Sequence, residues 1–107
     1  MARVTKPTDV YIYGTYHVRD GFEERVHASL TAHEARTRDE PGCLHAAISQ
    51  DLEDPRTLYS MQRWESEEAL LAHRALPHVQ AMDGGASEVL DRPFTLTVLR
   101  PDAAAAA

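Results

Sequence analysis

The order in which strand-like and helix-like segments follow one another constrains this chain more than any other feature. Residues 10–19, VYIYGTYHVR, are rich in Val, Ile, Tyr and Thr, which predicts a first strand. Residues 22–40 place apolar side chains at spacings of three and four. They predict an amphipathic helix that Pro41-Gly42 ends, with its Glu, Arg and Asp side chains on a solvated face. Residues 43–52 and 57–65, with a short turn between them, predict a hairpin of two strands.

The second half of the chain completes this order. Ser66, followed by two glutamates, is predicted to cap the next helix, because carboxylates favour the positive end of a helix. Pro77 is expected to open a second short helix, and Gly84-Gly85 to interrupt the helical pattern. Residues 93–100 alternate and predict a fourth strand. The complete order, β-α-β-β-α-β, predicts the ferredoxin-like split βαβ arrangement, an α+β fold with a four-stranded antiparallel sheet.

Length and charge narrow the possible roles. The chain of 107 residues predicts a single domain over 1–107, with an ordered core of about 9–101, a flexible N-terminal arm and a frayed alanine-rich tail. The net charge is −6 and the Lys and Arg residues are scattered, which argues against binding to nucleic acid or to a membrane. The first residues hold no long apolar run and Cys43 is the single cysteine, so the protein is expected to be cytoplasmic.

A fold of this kind has helices on one face of its sheet, so the other face is open to a partner. Because aromatic and aliphatic groups on an uncovered face favour association, we predict a homodimer. The alternative is a face that is merely amphipathic and wet. Both faces of the first strand carry such groups, with Val10, Ile12, Gly14 and Tyr16 on one side and Tyr11, Tyr13, Thr15 and His17 on the other.

Residues 40–82 resemble the antibiotic biosynthesis monooxygenase (ABM) domain, including its quinol monooxygenase members. The resemblance implies a homodimeric α+β barrel in which two sheets face each other and each subunit keeps its own pocket between sheet and helices. It also implies a cofactor-independent monooxygenase, in which the anion of an electron-rich phenol, hydroquinone or polycyclic aromatic reacts directly with O2. The features that carry the resemblance are Glu40-Pro41-Gly42-Cys43 at the end of the first helix, the turn at 51–55, Trp64-Glu65-Ser66 at the junction of strand and helix, and His73 with Pro77-His78.

Six side chains are candidates for that pocket. Ser60, Gln62 and Trp64 alternate on one face of the third strand. His73 and His33 lie on the inward stripes of their helices. Singly, a tryptophan or histidine in such a position is more often a packing residue than a catalyst. Together these polar groups would be costly to bury without partners, which favours a hydrated or ligand-filled cavity. With the resemblance, we assign proton transfer to His73, substrate stacking to Trp64, hydrogen bonding to Gln62 and His33, a place in the wall to Ser60, and a supporting position or the pocket mouth to His78.

Other chemistries have less support. His73 and His78 are five residues apart with Pro77 between them, about 140° around a regular helix, so a metal site is disfavoured. No glycine-rich dinucleotide or phosphate loop occurs, so no bound cofactor is expected. A haem-degrading relative is disfavoured because those enzymes use an asparagine on the first strand, and this chain has none. A non-catalytic dimer that binds an aromatic metabolite is the main alternative, since binding and turnover would use the same pocket wall.

Overall fold

The computed structural model describes residues 5–102, and the predictions for the ends of the chain at 1–4 and 103–107 lie outside this range. The predicted order is confirmed, with two helices in the place of the second one. The elements are β1 (Val10–His17), α1 (Glu23–Thr37), β2 (Cys43–Gln50), β3 (Thr57–Trp64), α2 (Glu67–Arg74), α3 (Pro77–Val89) and β4 (Thr95–Leu99).

The four strands form one antiparallel sheet in the order β2-β3-β1-β4, which is the predicted ferredoxin-like α+β arrangement. β1 lies inside the sheet and pairs with β3 on one side and β4 on the other. Its register with β3 places Gly14 opposite Ser60 and Ile12 opposite Gln62. These pairs lie side by side on the inner face and form the floor on which the site is built.

The alternation predicted for the central strands is confirmed. On β1, Val10 and Ile12 are 3% and 5% exposed, whereas Tyr13 between Ile12 and Gly14 is 40% exposed. On β3, every second side chain from Leu58 to Trp64 is buried against the helices. The period of two in a strand thus separates a covered inner face from an outer face that no helix within residues 5–102 covers.

The core consists of two apolar clusters. One gathers around Leu58 and Leu30, and the other gathers around Trp64 and Leu70. On β3, Ser60 and Gln62 lie between Leu58 and Trp64, so a polar segment separates the two clusters. This segment is where the sheet and helices leave a cavity.

The start of α2 is confirmed at Ser66, whose hydroxyl accepts a hydrogen bond from the backbone N–H of Ala69, 3.1 Å away. The predicted interruption at Gly84-Gly85 is wrong, because α3 continues through both glycines to Val89. Met82 and Val89 of this helix pack on the core. That packing outweighs a helix-propensity cost of about 1 kcal/mol for each glycine. None of the helices within residues 5–102 is long and apolar enough to cross a bilayer.

Candidate active site

A cavity of about 250 Å³ lies between the inner face of the sheet and helices α1 and α3, with the end of α2 at one side. Its volume is slightly below that of most ligand pockets, which span roughly 300–1,000 Å³. It therefore suits a small molecule of one or two rings. The apolar part of its lining includes Ile12, Val26, Leu30, Met82, Leu90 and Leu96.

The aromatic wall of the cavity consists of Tyr16 and Phe94. Their rings stack with centroids 5.4 Å apart, and both line the cavity. The Tyr16 side chain is hydrogen-bonded to Ser60, and burial raises the pKa of the phenol above its ordinary value. A neutral hydroxyl is therefore kept beside the predicted wall residue Ser60. The alternation of β1 predicted that Tyr16 shares a side of the strand with Ile12, but Tyr16 was not among the predicted site residues.

Gly14 makes room for this pair. A β-carbon at position 14 would lie 2.5 Å from Ser60 Oγ and 3.0 Å from the Tyr16 hydroxyl oxygen. Its φ is not positive, so the requirement for glycine comes from space rather than from backbone conformation. The glycine in the middle of β1 thus allows Tyr16 and Ser60 to meet at the floor of the cavity.

Trp64 does not reach the cavity, which corrects the prediction that it stacks on the substrate. It is 0% exposed, and its ring lies behind His73 with the two ring centroids 4.9 Å apart. Its indole nitrogen donates a hydrogen bond to Gln62 Oε1 at 3.0 Å. Trp64 therefore supports two residues of the cavity wall instead of forming the wall itself.

Gln62 links Trp64 to a carboxyl that sequence analysis had placed on the solvated face of the first helix. Because an indole N–H can only donate, the side-chain oxygen of Gln62 faces Trp64 and its nitrogen faces Glu34. This nitrogen donates to both carboxyl oxygens of Glu34, at 3.1 and 3.0 Å. Glu34 is 2% exposed and lines the cavity, so its assignment to the solvated face is wrong.

A sequence signal for Glu34 was present. It lies four residues after Leu30 and three before Thr37, so it shares the apolar stripe of α1. Burial raises the pKa of its carboxyl from 4.5 to about 7, and the hydrogen bond from Gln62 opposes part of this rise. The cavity therefore contains an acid that exchanges its proton near neutral pH.

His73 is oriented by a carboxylate. It is 2% exposed, lines the cavity, and its Nδ1 lies 2.7 Å from Oε1 of Glu40. Because a carboxylate accepts hydrogen bonds, Nδ1 is the donor in this pair, and in the neutral imidazole Nε2 then keeps its lone pair. This arrangement is suited to removing a proton from a bound molecule.

His33 also lines the cavity, and its ring contacts those of His73 and His78 at centroid distances of 5.6 and 6.0 Å. Burial and the neighbouring His73 and His78 lower the pKa of His33 to about 4, so it is neutral at physiological pH. His78 does not line the cavity, and its Nε2 is buried. Of the two places expected for His78, the pocket mouth is wrong and the supporting position matches, because its ring packs behind that of His33.

An ion pair that sequence analysis did not identify closes one side of the cavity. Arg74, at the end of α2, donates to Asp83 on α3 at 2.5 Å, and both side chains line the cavity.

The cavity lining brings together four of the six predicted site residues, namely Ser60, Gln62, His33 and His73. Within residues 5–102, no group of three or more His, Cys, Asp or Glu side chains is arranged to hold a metal ion.

Comparisons with known proteins agree with this architecture. The family model described as antibiotic biosynthesis monooxygenase matches residues 9–83. Rv0793 from Mycobacterium tuberculosis is 29% identical, with a TM-score of 0.81 over 88% of this chain and 95% of that one. A candidate antibiotic biosynthesis monooxygenase from Deinococcus radiodurans is 28% identical, with a TM-score of 0.78 over 87% of this chain and 92% of that one.

More distant structures share the fold. A conserved protein from Methanosarcina mazei is 21% identical, with a TM-score of 0.83 over 90% of this chain and 95% of that one. At that identity the likeness shows the fold alone. A comparison with curated proteins finds no match.

Proposed function

The chain belongs to the antibiotic biosynthesis monooxygenase family, and from this premise we propose that it oxidises a small electron-rich phenol or hydroquinone with O2 without a bound cofactor. The observation that carries the proposal is the position of His73, whose Nδ1 is held by Glu40 in a cavity bounded by the aromatic pair Tyr16 and Phe94. The volume of about 250 Å³ favours one or two rings over a large polycyclic substrate.

In the proposed reaction, Nε2 of His73 removes the hydroxyl proton of the phenol. The resulting phenolate is electron-rich and transfers electrons to O2, and a ring carbon forms a bond to one oxygen atom. The O–O bond then breaks, so one oxygen atom stays on the ring as a carbonyl and the other leaves as water. For a monophenol the products are a quinone and water, and the four electrons lost by the ring equal the four gained by O2.

The protein's contribution in this scheme is a base, orientation and a polar surrounding for the anion. His73 supplies the base, and its ring is fixed between Trp64 and the hydrogen bond to Glu40. The flat wall of Tyr16 and Phe94 would hold the substrate ring by stacking. His33, which is neutral, is available as a hydrogen-bonding group at the same cavity.

We also propose that the outer face of the sheet forms a homodimer. Tyr13 and Leu99 are each 40% exposed on this face, and they belong to the neighbouring strands β1 and β4. Arg63 on β3 lies over the ring of Tyr11 at 5.0 Å, and its Nε is buried without a hydrogen-bond partner among the described residues. A second sheet packed on this face would bury the aromatic groups. Sedimentation at micromolar concentration that showed only monomers would contradict this proposal.

Oxygen consumption with a panel of monophenols, hydroquinones and naphthols tests the reaction. We expect uptake by the wild-type protein and a loss of most of it in His73→Ala, roughly 100-fold or more, because a positioned base contributes about 10²–10⁴-fold. His27→Ala, on the exposed face of α1, is the matched control and should behave as wild type. Binding of these phenols without any oxygen uptake would favour the non-catalytic binding alternative. Wild-type uptake by a folded His73→Ala protein would remove His73 as the base.

A further inference from the structure

Glu34 is a buried carboxyl in the cavity that the proposed reaction does not use. It reaches the cavity from α1, whereas His73 reaches it from α2. An exposed glutamate on a helix needs no explanation, but a carboxyl that is 2% exposed is costly to bury unless its surroundings favour it. Its position therefore requires a structural or chemical reason.

The geometry shows which part of the carboxyl is occupied. Trp64 fixes the orientation of Gln62, and Gln62 Nε2 donates to each carboxyl oxygen of Glu34. Among the described residues, these are the hydrogen bonds that the Glu34 side chain accepts. A carboxyl has about four lone-pair sites, so positions for a proton or a ligand hydroxyl stay available. Because Glu34 lines the cavity, a molecule bound there can reach them.

We propose that Glu34 is a second catalytic acid–base residue, which takes a proton from the ring carbon of the substrate and returns it to the oxygen atom that leaves as water. This inference rests on the proposed function, because it requires a hydroxylated aromatic and O2 in the cavity. His73 and Glu34 then divide the two protons that the substrate loses. A single base would have to accept and release both in turn.

Each proton that His73 and Glu34 take from the substrate is returned to the oxygen atom that leaves. His73 passes the hydroxyl proton to the outer oxygen of the peroxide that O2 forms on the ring. The Glu34 carboxylate takes the proton from the same ring carbon, and the electron pair of the broken C–H bond becomes the second bond of the carbonyl. The O–O bond breaks, and the departing hydroxide takes the proton from the Glu34 carboxyl to leave as water. Both residues return to their starting states, and no further oxidant or reductant is needed.

The charges around Glu34 suit a group that both accepts and releases a proton. Burial and Glu40 favour the neutral acid, whereas Gln62 and Arg38 favour the carboxylate. His33 and His73 face the same cavity, and His33 is neutral at physiological pH. A pKa of about 7 leaves both forms of Glu34 populated near neutrality, which is the condition for efficient general acid–base catalysis.

Kinetics of Glu34→Gln test the proposal, because glutamine keeps the shape of the side chain and cannot carry the proton. We expect turnover to fall roughly 100-fold with little change in KM, and the pH profile to lose the change near 7 that Glu34 contributes. Glu24→Gln, exposed on the same helix, is the matched control and should keep the wild-type rate and pH profile. Glu34→Asp retains a carboxyl and should retain the pH dependence at a reduced rate. Wild-type turnover and pH profile in Glu34→Gln would overturn the inference and leave the proposed function intact.

A second measurement does not depend on turnover. Binding of 4-nitrophenol is followed by the colour of its anion. Proton uptake is measured at the same time, in a weakly buffered solution whose pH lies above the pKa of Glu34. We expect proton uptake on binding by wild type, Glu24→Gln and His73→Ala, and clearly less by Glu34→Gln, because the bound anion and the Glu34 carboxylate share a proton in one cavity. Equal uptake by wild type and Glu34→Gln overturns the role of Glu34. If wild type consumes no oxygen with any phenol, the proposed function fails and this measurement alone decides whether Glu34 accepts a proton. Absence of nitrophenol binding would contradict both proposals.

Discussion

The indole nitrogen of Trp64 donates a hydrogen bond to the side-chain oxygen of Gln62, 3.0 Å away, although the two residues are separated by only one position along β3. This contact determines which end of the Gln62 amide faces the carboxyl of Glu34. It therefore couples a fully buried aromatic residue to the ionisation of a group in the cavity. Trp64 acts on the site through Gln62 and through the ring of His73, without touching the space where a substrate would lie.

Replacing Gln62 by leucine should destabilise the fold, because the Trp64 N–H and the Glu34 carboxyl would both lose a buried partner. We expect the free energy of unfolding to fall by roughly 2–6 kcal/mol, since each of the two unsatisfied buried groups costs about 1–3 kcal/mol. Urea denaturation measures the change. Gln80→Leu, on an exposed position of α3, should stay within about 0.5 kcal/mol of wild type. A Gln62→Leu protein as stable as Gln80→Leu would show that the hydrogen bonds add nothing to stability.

Gly14→Ala should be destabilising by about 1–3 kcal/mol, because the added β-carbon overlaps Ser60 Oγ and crowds the Tyr16 hydroxyl. Gly85→Ala is the contrasting change. It lies inside α3, and beyond its chain neighbours and the adjacent helix backbone no atom lies within 4 Å of the added carbon, so the change should stabilise the protein by roughly 0.5–1 kcal/mol. Thermal unfolding of the two variants should shift in opposite directions. If the unfolding temperatures of both variants shifted equally, the floor of the cavity would accommodate the added carbon at position 14 without a loss of stability.

Glu34 should make stability depend on pH. Its pKa is raised in the folded state from 4.5 to about 7, so the folded protein holds this proton more tightly than the unfolded chain. That contribution is fully present below pH 4.5 and is lost as the pH rises through about 7. Relative to Glu34→Gln, wild type should therefore lose stability over this window, by up to roughly 3 kcal/mol.

Chemical denaturation of both proteins across the window measures this difference. The pKa of His33 is lowered to about 4, so this residue changes the stability with pH in the opposite direction. Because both proteins contain His33, its contribution cancels in the comparison. Glu24→Gln should run parallel to wild type, because Glu24 is exposed. A difference between wild type and Glu34→Gln that does not vary with pH would mean that Glu34 ionises alike in the folded and unfolded states.

Glu40→Gln should slow turnover while leaving substrate affinity nearly unchanged, because Glu40 contacts His73 and does not line the cavity. Glutamine keeps a group near Nδ1 but removes the charge that stabilises a protonated imidazole. We expect roughly a tenfold to hundredfold loss in kcat, at or below the lower end of the 10²–10⁴-fold that a positioned base contributes, because the imidazole itself stays in place. Steady-state oxygen uptake measures kcat and KM, with Glu68→Gln on the exposed side of α2 as the control. A change confined to KM would indicate that Glu40 shapes the cavity and has no part in proton transfer.

The sequence pattern was sufficient to predict the order of the helices and strands and the face on which many side chains lie. The alternation on β3 correctly placed Ser60 and Gln62 on the covered face, and the alternation on β1 correctly grouped Ile12 with Gly14 and Tyr16 on one side of the strand. The spacing from Leu70 correctly turned His73 inward, and Ser66 correctly marked the start of α2. These features depend on the period of a strand or helix and on a helix cap. Both are local properties, because residues close together in the sequence determine them.

The composition of the site was decided by contacts between segments distant in sequence. Glu34 is buried because Gln62 on β3 offers it a hydrogen-bond donor, and a polar position on a helix stripe does not reveal such a partner by itself. Trp64 and His78 were placed correctly in their elements, yet the packing of His73 and His33 in front of them keeps both out of the cavity. Periodicity therefore determined the face on which each side chain lies. How deeply a side chain is buried, and which groups it contacts, depended on the element that packs opposite it. Only the tertiary structure decides this.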